Sequence, residues 1–336
     1  MKQEKQTKKL LITLTICLIS VLLCFGASLI FGSRNVSMHD IKAALFYNQS
    51  DTIGQIVVKK RIPRTIFSLI AGASLGISGA VMQAVTRNPI ADPSVLGVNT
   101  GASLFVVIGI AFFNISSASQ YIWLALLGAA VTTVFVYGIG SMGSGGVTPI
   151  KLALAGSATS AALSSFVSAI LMPRAEVMDT FRFWQVGSVS GANWGNIRTI
   201  LPFVIIGSLT AFVLAPVLNA MALGDEMASV LGVHTGAARF LGALSGVILC
   251  GAVTAVAGPI GFVGLMVPHV MRLLLGPDQR VILPMSALGG ALVLTTADVI
   301  GRILGSPGEL ESGIVTAFVG APILILIAMR SKGSSL

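Results

Sequence analysis

Charged side chains are scarce in this chain of 336 residues, at 10% of the sequence, whereas hydrophobic residues make up 54%. A soluble domain carries about 25% charged residues. The deficit therefore excludes a soluble globular enzyme. Intrinsic disorder is excluded as well, because disordered segments combine low hydrophobicity with high charge. The composition indicates a protein embedded in a lipid bilayer.

Cysteine and histidine are also rare, with three residues of each. Cys17, Cys24 and Cys250 lie within apolar runs, which excludes a disulfide framework and a cysteine-based metal site. The histidines are far apart in the sequence and have no metal-ligand spacing. The cysteines and histidines therefore offer no candidate metal site.

Two sources of energy for transport are missing from the chain. The phosphate-binding pattern G-x-x-x-x-G-K-[ST] does not occur. Ion-coupled carriers keep ionisable residues at mid-membrane depth, but we place most acids, Asp92 among them, in loops. Asp298 is the one acid within an apolar run, and it precedes Arg302 by four residues, a spacing that predicts an ion pair. Active transport would need energy from another subunit; the alternative is a stand-alone carrier or channel for a small solute.

Long apolar runs dominate what is present. One helical span needs about 20 apolar residues, and Gly258-Pro259 divides one long stretch into two such spans. The sequence predicts an all-α, polytopic membrane protein with about ten transmembrane helices in one domain, residues 1–336. The predicted spans are 10–31, 65–85, 94–113, 121–141, 150–172, 197–218, 238–257, 258–275, 281–300 and 312–329.

The positive-inside rule orients these spans. Four lysines within residues 1–9 predict an inner N-terminus, and ten spans then place the C-terminus inside as well. On this topology the basic cluster at 59–64 falls outside, against the usual bias. Either the N-terminal lysines alone fix the orientation, or an external basic surface serves an acidic partner.

A polar stretch, residues 219–236, interrupts the apolar pattern on the predicted inner side. Residues 220–223 and 227–231 are compatible with two short helices separated by Gly224-Asp225-Glu226, and Gly232 is a helix stop. Two such helices are suited to a groove of a soluble partner. An ordinary amphipathic connector is the alternative.

Six blocks of the sequence resemble one family over nearly the whole chain. They are RIPR at 61–64, GAVMQAVTRNPIADPSVLGVNTGA at 79–102, FWQVGSVSGANW at 183–194, LGDEMASVLGV at 223–233, GPIGFVGLMVPHVMRLLLGPDQR at 258–280 and PGELESGIVTAFVGAP at 307–322. In this order they resemble the iron-siderophore and cobalamin permeases of ATP-binding-cassette (ABC) importers, the FecCD family. The chain departs from the family pattern at Gln279, where histidine is common, and at Glu311, where proline is common.

The resemblance implies an ABC type II importer permease fold in the cytoplasmic membrane of a bacterium. Two permease chains would pair in the lipid, two cytoplasmic ATP-binding subunits would dock inside, and an external binding protein would deliver an iron(III)-siderophore chelate. The permease would perform no chemistry, so no catalytic residue, no cofactor and no metal ligand is expected, and it would bind no nucleic acid. Cobalamin or haem remains an alternative cargo, and the second permease is either another copy or a related chain.

The expected site residues fall into three groups. Arginines on the outer side are expected to dock the binding protein, with lipid-headgroup anchoring as the alternative, and the polar stretch is expected to couple to the ATPase. Helix interruptions near the last span are expected beside a translocation path. These residues are Arg61, Arg64 and Arg302 for docking; Leu223, Gly224, Asp225, Glu226, Leu231 and Gly232 for coupling; and Pro307, Gly320 and Pro322 for the path.

Overall fold

The computed structural model describes residues 2–34, 36–47, 50–115, 117–142 and 148–331, and this part of the chain is helical without a strand. A short 3₁₀ helix spans Pro93–Leu96. The helices are α1 Lys2–Ile30, α2 Met38–Phe46, α3 Ile53–Thr86, α4 Val98–Phe113, α5 Ala118–Ser141, α6 Pro149–Leu171, α7 Ala175–Gln185, α8 Trp194–Met221, α9 Asp225–Val230, α10 Thr235–Ala257, α11 Val263–Leu275, α12 Gln279–Leu304 and α13 Ser312–Ser331.

Each of the ten predicted spans corresponds to one helix. Seven described helices are long and apolar enough to cross a membrane, namely α1, α3, α5, α6, α8, α10 and α12. The other three, α4, α11 and α13, are shorter apolar helices at the predicted third, eighth and tenth spans. The break at Gly258-Pro259 is confirmed, because α10 ends at Ala257 and Gly258 adopts a positive φ of 70°. The all-α polytopic prediction is confirmed.

Helix α3 begins 12 residues before the predicted second span, at Ile53 rather than at residue 65. Thr52 and Gln55 form a capping box, in which each side chain binds the other residue's backbone N–H. This cap starts the helix before the basic cluster. Pro63 therefore lies inside α3, which extends beyond the predicted start of the second span.

Small residues bring α3 into backbone contact with α11 and α12. A Cβ added at Gly72 would overlap the Gly290 carbonyl, and one added at Gly76 would overlap the Ser286 carbonyl, both on α12. Gly79 meets Gly264 at the start of α11 in the same way. Close approach through small residues is the usual packing of membrane helices. It makes α3 the central helix of the bundle.

We expect Gly76→Leu to destabilise the bundle by about 1–3 kcal/mol or more, because the new side chain would force α3 and α12 apart. The measurement is the apparent melting temperature of the detergent-solubilised protein. Gly26→Leu in α1 is the matched control, because a Cβ there meets no atom within 4 Å. Equal melting temperatures for the two variants would contradict this packing.

The segment between α3 and α4 folds back into the bundle. Asp92 caps the 3₁₀ helix by accepting a hydrogen bond from the Ser94 N–H at 2.9 Å. Its carboxylate lies beside Gly264, which also packs against Leu75 and Gly79 in the interior of α3. Asp92 therefore lies in a loop, as predicted, and the cap holds its carboxylate against the start of α11.

Candidate functional site

Polar residues with long-range contacts gather at the two ends of α3. We call these the α2 end, where α3 begins, and the α9 end, where it finishes. The arginine cluster at the α2 end comprises Arg61, Arg64, Asp298, Arg302 and Glu309. The coupling segment at the α9 end is residues 219–236. Arg64 and Arg87 mark the two ends and are about 35 Å apart along the helix axis, at 1.5 Å per residue.

The guanidinium group of Arg64 binds two carboxylates. Its Nε and Nη2 donate to Asp298 Oδ1 at 3.0 and 2.7 Å, and its Nη1 donates to Glu309 Oε2 at 2.6 Å. Asp298 belongs to α12 and its side chain is 1% exposed, whereas Glu309 lies in the loop before α13 and is 37% exposed. Arg64 therefore links α3 to both.

Arg302 completes the buried part of the cluster. Its Nη2 lies 3.0 Å from Asp298 Oδ2, which confirms the ion pair predicted from the four-residue spacing. Its Nη1 donates to the Ser28 carbonyl at 3.0 Å and its Nη2 donates to the Ser28 hydroxyl at 2.7 Å. The pair thereby joins α12 to α1.

Arg61 binds the end of α1 instead of an acid. Its Nη1 donates to the carbonyls of Leu29 and Ile30 at 2.9 Å each, and its Nη2 donates to the Arg34 carbonyl at 2.7 Å. The last carbonyls of a helix have no partner within that helix, so the guanidinium satisfies groups that α1 leaves open.

The three arginines are buried, with 5%, 8% and 1% of Arg61, Arg64 and Arg302 exposed. The premise that they form an exposed external surface is wrong. The sequence showed their charges but not the acceptors, which come from residues 28–34, 298 and 309. The assignment of the three arginines to docking stays a prediction. It now depends on Arg64, whose Nη1 contacts the accessible carboxylate of Glu309.

The coupling segment contains one short helix rather than two. Residues 220 and 221 continue α8, which ends at Met221, so the first predicted short helix is wrong. The second is present as α9, between Gly224 with φ 113° and Gly232 with φ 81°. Val233 N–H donates to the Ala228 carbonyl and Gly232 N–H to that of Ser229, at 3.0 and 2.9 Å. This Schellman arrangement confirms Gly232 as the helix stop.

Asp225 fastens α9 to the bundle. Its carboxylate pairs with Arg239 Nη2 on α10 at 3.0 Å and with Arg87 Nη2 just after α3. Arg239 is 4% exposed, whereas the side chains of Arg87 and Asp225 are 34% and 47% exposed. Sequence reasoning missed both arginine partners, because they lie 138 and 14 residues from Asp225.

Apolar side chains project from the coupling segment. Leu223, Met227, Val230 and Leu231 are 63%, 54%, 80% and 60% exposed, although Ala228 between them is buried. Glu226 is also exposed. The surface combines four large apolar side chains with one acid, on a helix whose position is set by an ion pair.

The predicted path residues lie at different places. Helix α13 runs without interruption through Gly320 and Pro322, so the predicted break there is wrong. Gly320 packs against the Phe262 ring, whereas Pro307 and Pro322 are exposed.

A groove of about 400 Å³ lies between α11, α12 and α13. Its apolar lining includes Met266, Val293, Val315, Val319 and Ile323. Within the described ranges no group of three His, Cys, Asp or Glu residues is arranged to hold a metal ion.

These features define a polytopic helical membrane protein. The chain belongs to the FecCD transport family, whose model matches residues 18–330.

Similar proteins support this membership across the full length. The chain is 40% identical to the ferric enterobactin transport system permease protein FepD of Escherichia coli, covering 93% of each chain. It is 41% identical to the Fe(3+)-citrate import system permease protein YfmD of Bacillus subtilis, covering 98% of each. The hemin transport system permease protein HmuU of Yersinia pestis is 32% identical, with 94% and 96% covered.

A solved structure has the same fold. It is an inward-facing conformation of a metal-chelate type ABC transporter, with a TM-score of 0.82 and 27% sequence identity. The superposition covers 97% of this chain and 99% of the solved one.

Proposed function

We propose that this chain is the permease subunit of a bacterial ABC importer that moves an iron(III)-siderophore chelate across the cytoplasmic membrane. One observation carries the proposal: full-length relatives at 40% and 41% identity are named as permeases for ferric enterobactin and Fe(3+)-citrate. Residues 1–336 form one permease domain. The hemin permease relative at 32% identity makes haem the second candidate cargo.

The α9 end is the cytoplasmic face, where the coupling segment contacts a separate ATPase subunit. Two such subunits serve a pair of permease chains. The exposed side chains of Leu223, Met227, Val230 and Leu231 supply the apolar contact, and Asp225 sets the angle of α9 through Arg239. A helix that lays an apolar face into a groove is a common recognition mode.

The α2 end is the external face, which receives the loaded binding protein. The arginine cluster there has three guanidinium groups and two carboxylates, so its formal charge is positive. Complementary charge sets the orientation and encounter rate of a partner. An acidic binding protein surface therefore fits this end, and Arg64 is the arginine through which it is sensed.

Helix α3 connects the two faces. Arg64 lies near one end of it and Arg87 follows the other, and Gly72, Gly76 and Gly79 lock its middle against α11 and α12. A shift of α3 at the binding-protein side would reach α9 through the Arg87–Asp225 pair. Gly320, Pro322 and Pro307 remain our proposed path residues, on the helix α13 and the loop before it.

A competition experiment tests the proposed cargo. The binding protein that stimulates ATP hydrolysis by the assembled transporter should bind a ferric siderophore in preference to hemin and cobalamin. The measurement is uptake of ⁵⁵Fe-labelled ferric enterobactin, ferric citrate and a ferric hydroxamate, with unlabelled hemin or cobalamin as competitors. Suppression of iron uptake by equimolar hemin would move the assignment to haem.

A further inference from the structure

The two carboxylates that bind Arg64 differ sharply in accessibility. Asp298 receives two N–H groups of Arg64, is flanked by Arg302 and is 1% exposed. Glu309 receives one N–H group and is 37% exposed, and its other oxygen accepts a bond from Ser33 at 3.4 Å. Asp298 is thus fixed in the bundle, whereas Glu309 is a loop residue within reach of solvent.

The other arginines are committed to internal groups. Arg61 donates to three backbone carbonyls, and Arg302 donates to Ser28 beside its pair with Asp298. Among the hydrogen bonds of these guanidinium groups with the described residues, the one from Arg64 Nη1 ends on a carboxylate that solvent reaches. This N–H edge is where a carboxylate from outside can bind.

We infer that Glu309 occupies, in the undocked permease, the position on Arg64 that an acidic side chain of the binding protein takes on docking. The inference rests on the proposed function. Exchange of one carboxylate for another keeps Arg64 paired at every stage, so no buried charge is left uncompensated. Asp298 holds the Arg64 guanidinium in place while Arg64 Nη1 changes its carboxylate partner.

The exchange explains how a buried arginine recognises a partner. Three guanidinium groups face two carboxylates, and this surplus of positive charge favours an added acid at the Glu309 side. Release of Glu309 also frees the loop before α13 from α3. Docking would thereby loosen the external connection between α13 and the centre of the bundle.

The test is Glu309→Gln in the full transporter, reconstituted in nanodiscs with its co-purified ATPase subunits. The probe is the binding protein that stimulates ATP hydrolysis by the wild-type assembly, loaded with its ferric chelate. Removing the competing charge should tighten binding about two- to fivefold, which corresponds to about 0.4–1 kcal/mol. The affinity should also fall more steeply with salt than in wild type, because the free charge at Arg64 is larger.

Glu311→Gln is the matched control, two residues further along the same loop. Within the described residues, the Glu311 side chain makes no hydrogen bond or ion pair. Its binding constant should equal that of wild type. Unchanged or weaker binding in Glu309→Gln, or loss of assembly in that variant, would overturn the exchange and leave the pair a structural one. If no binding protein stimulates the wild-type assembly, the proposed function fails, and the exchange fails with it.

Discussion

Replacing Gly224 with valine should abolish chelate uptake while the protein still inserts into the membrane. Gly224 has φ 113° and ψ 153°, a backbone region that is essentially restricted to glycine and costs of order 1–3 kcal/mol for other residues. A β-branched side chain would force a different entry into α9 and turn Leu223 and Met227 away from their partner. Co-purification of the ATPase subunit should fall together with uptake.

Gly138→Val is the matched control for this change. Gly138 lies outside the coupling segment, is exposed near the end of α5, and an added Cβ meets no atom within 4 Å. Gly224 has equally open space around it, so the two sites differ in backbone conformation rather than in crowding. Normal uptake in Gly224→Val, or equal loss in both variants, would show that the geometry of α9 does not couple the permease to its ATPase.

The second large effect is expected for Asp298→Asn. The asparagine keeps the shape of the side chain but leaves Arg64 and Arg302 without their shared buried counter-charge. Removal of one partner from a buried ion pair costs roughly 3–5 kcal/mol. We expect a large drop in the yield of folded protein and in the melting temperature of what remains in detergent.

Asp179→Asn provides the comparison, because Asp179 and Arg182 form an exposed ion pair within α7, with 66% and 63% of their side chains exposed. Exposed pairs contribute about 0.2–1 kcal/mol. The melting temperature of Asp179→Asn should therefore stay close to that of wild type. A similar small effect in Asp298→Asn would mean that the arginine cluster does not hold α1, α3 and α12 together.

The buried position of the arginines changes how docking is best tested. Reversing the charge of Arg61 and Arg64 together would separate α3 from the end of α1 and from Asp298. Such a variant would lose docking through misfolding. Glu309 is the better target, since it lies on the accessible side of the same contact.

The helical architecture was predictable because each span corresponds to one long apolar run in the sequence. The ion pair of Asp298 with Arg302 was also predictable, since both lie on one helix face at a four-residue spacing. The stop at Gly232 was predictable because glycine adopts the left-handed conformation that ends α9. These features depend on local chemistry.

The contacts that define the arginine cluster are not local. Arg64 is 234 residues from Asp298 and 245 from Glu309, so nothing in the sequence near Arg64 indicates that it is buried. The capping box at Thr52 starts α3 before the basic cluster at residues 59–64, so that this cluster becomes part of the helix. Asp92 lies in its predicted loop, but its contact with Gly264 was not predictable, because the two residues are far apart in the sequence.

ATP-dependent uptake into sealed proteoliposomes tests the central claim most directly. The permease is reconstituted with its ATPase subunits, ATP is enclosed, and the binding protein loaded with ⁵⁵Fe-siderophore is added outside. Labelled chelate should accumulate inside only when ATP and binding protein are both present, and an imposed proton or sodium gradient should not replace ATP. Accumulation driven by such a gradient, or uptake without the binding protein and ATP, would show that the chain is a stand-alone carrier or channel.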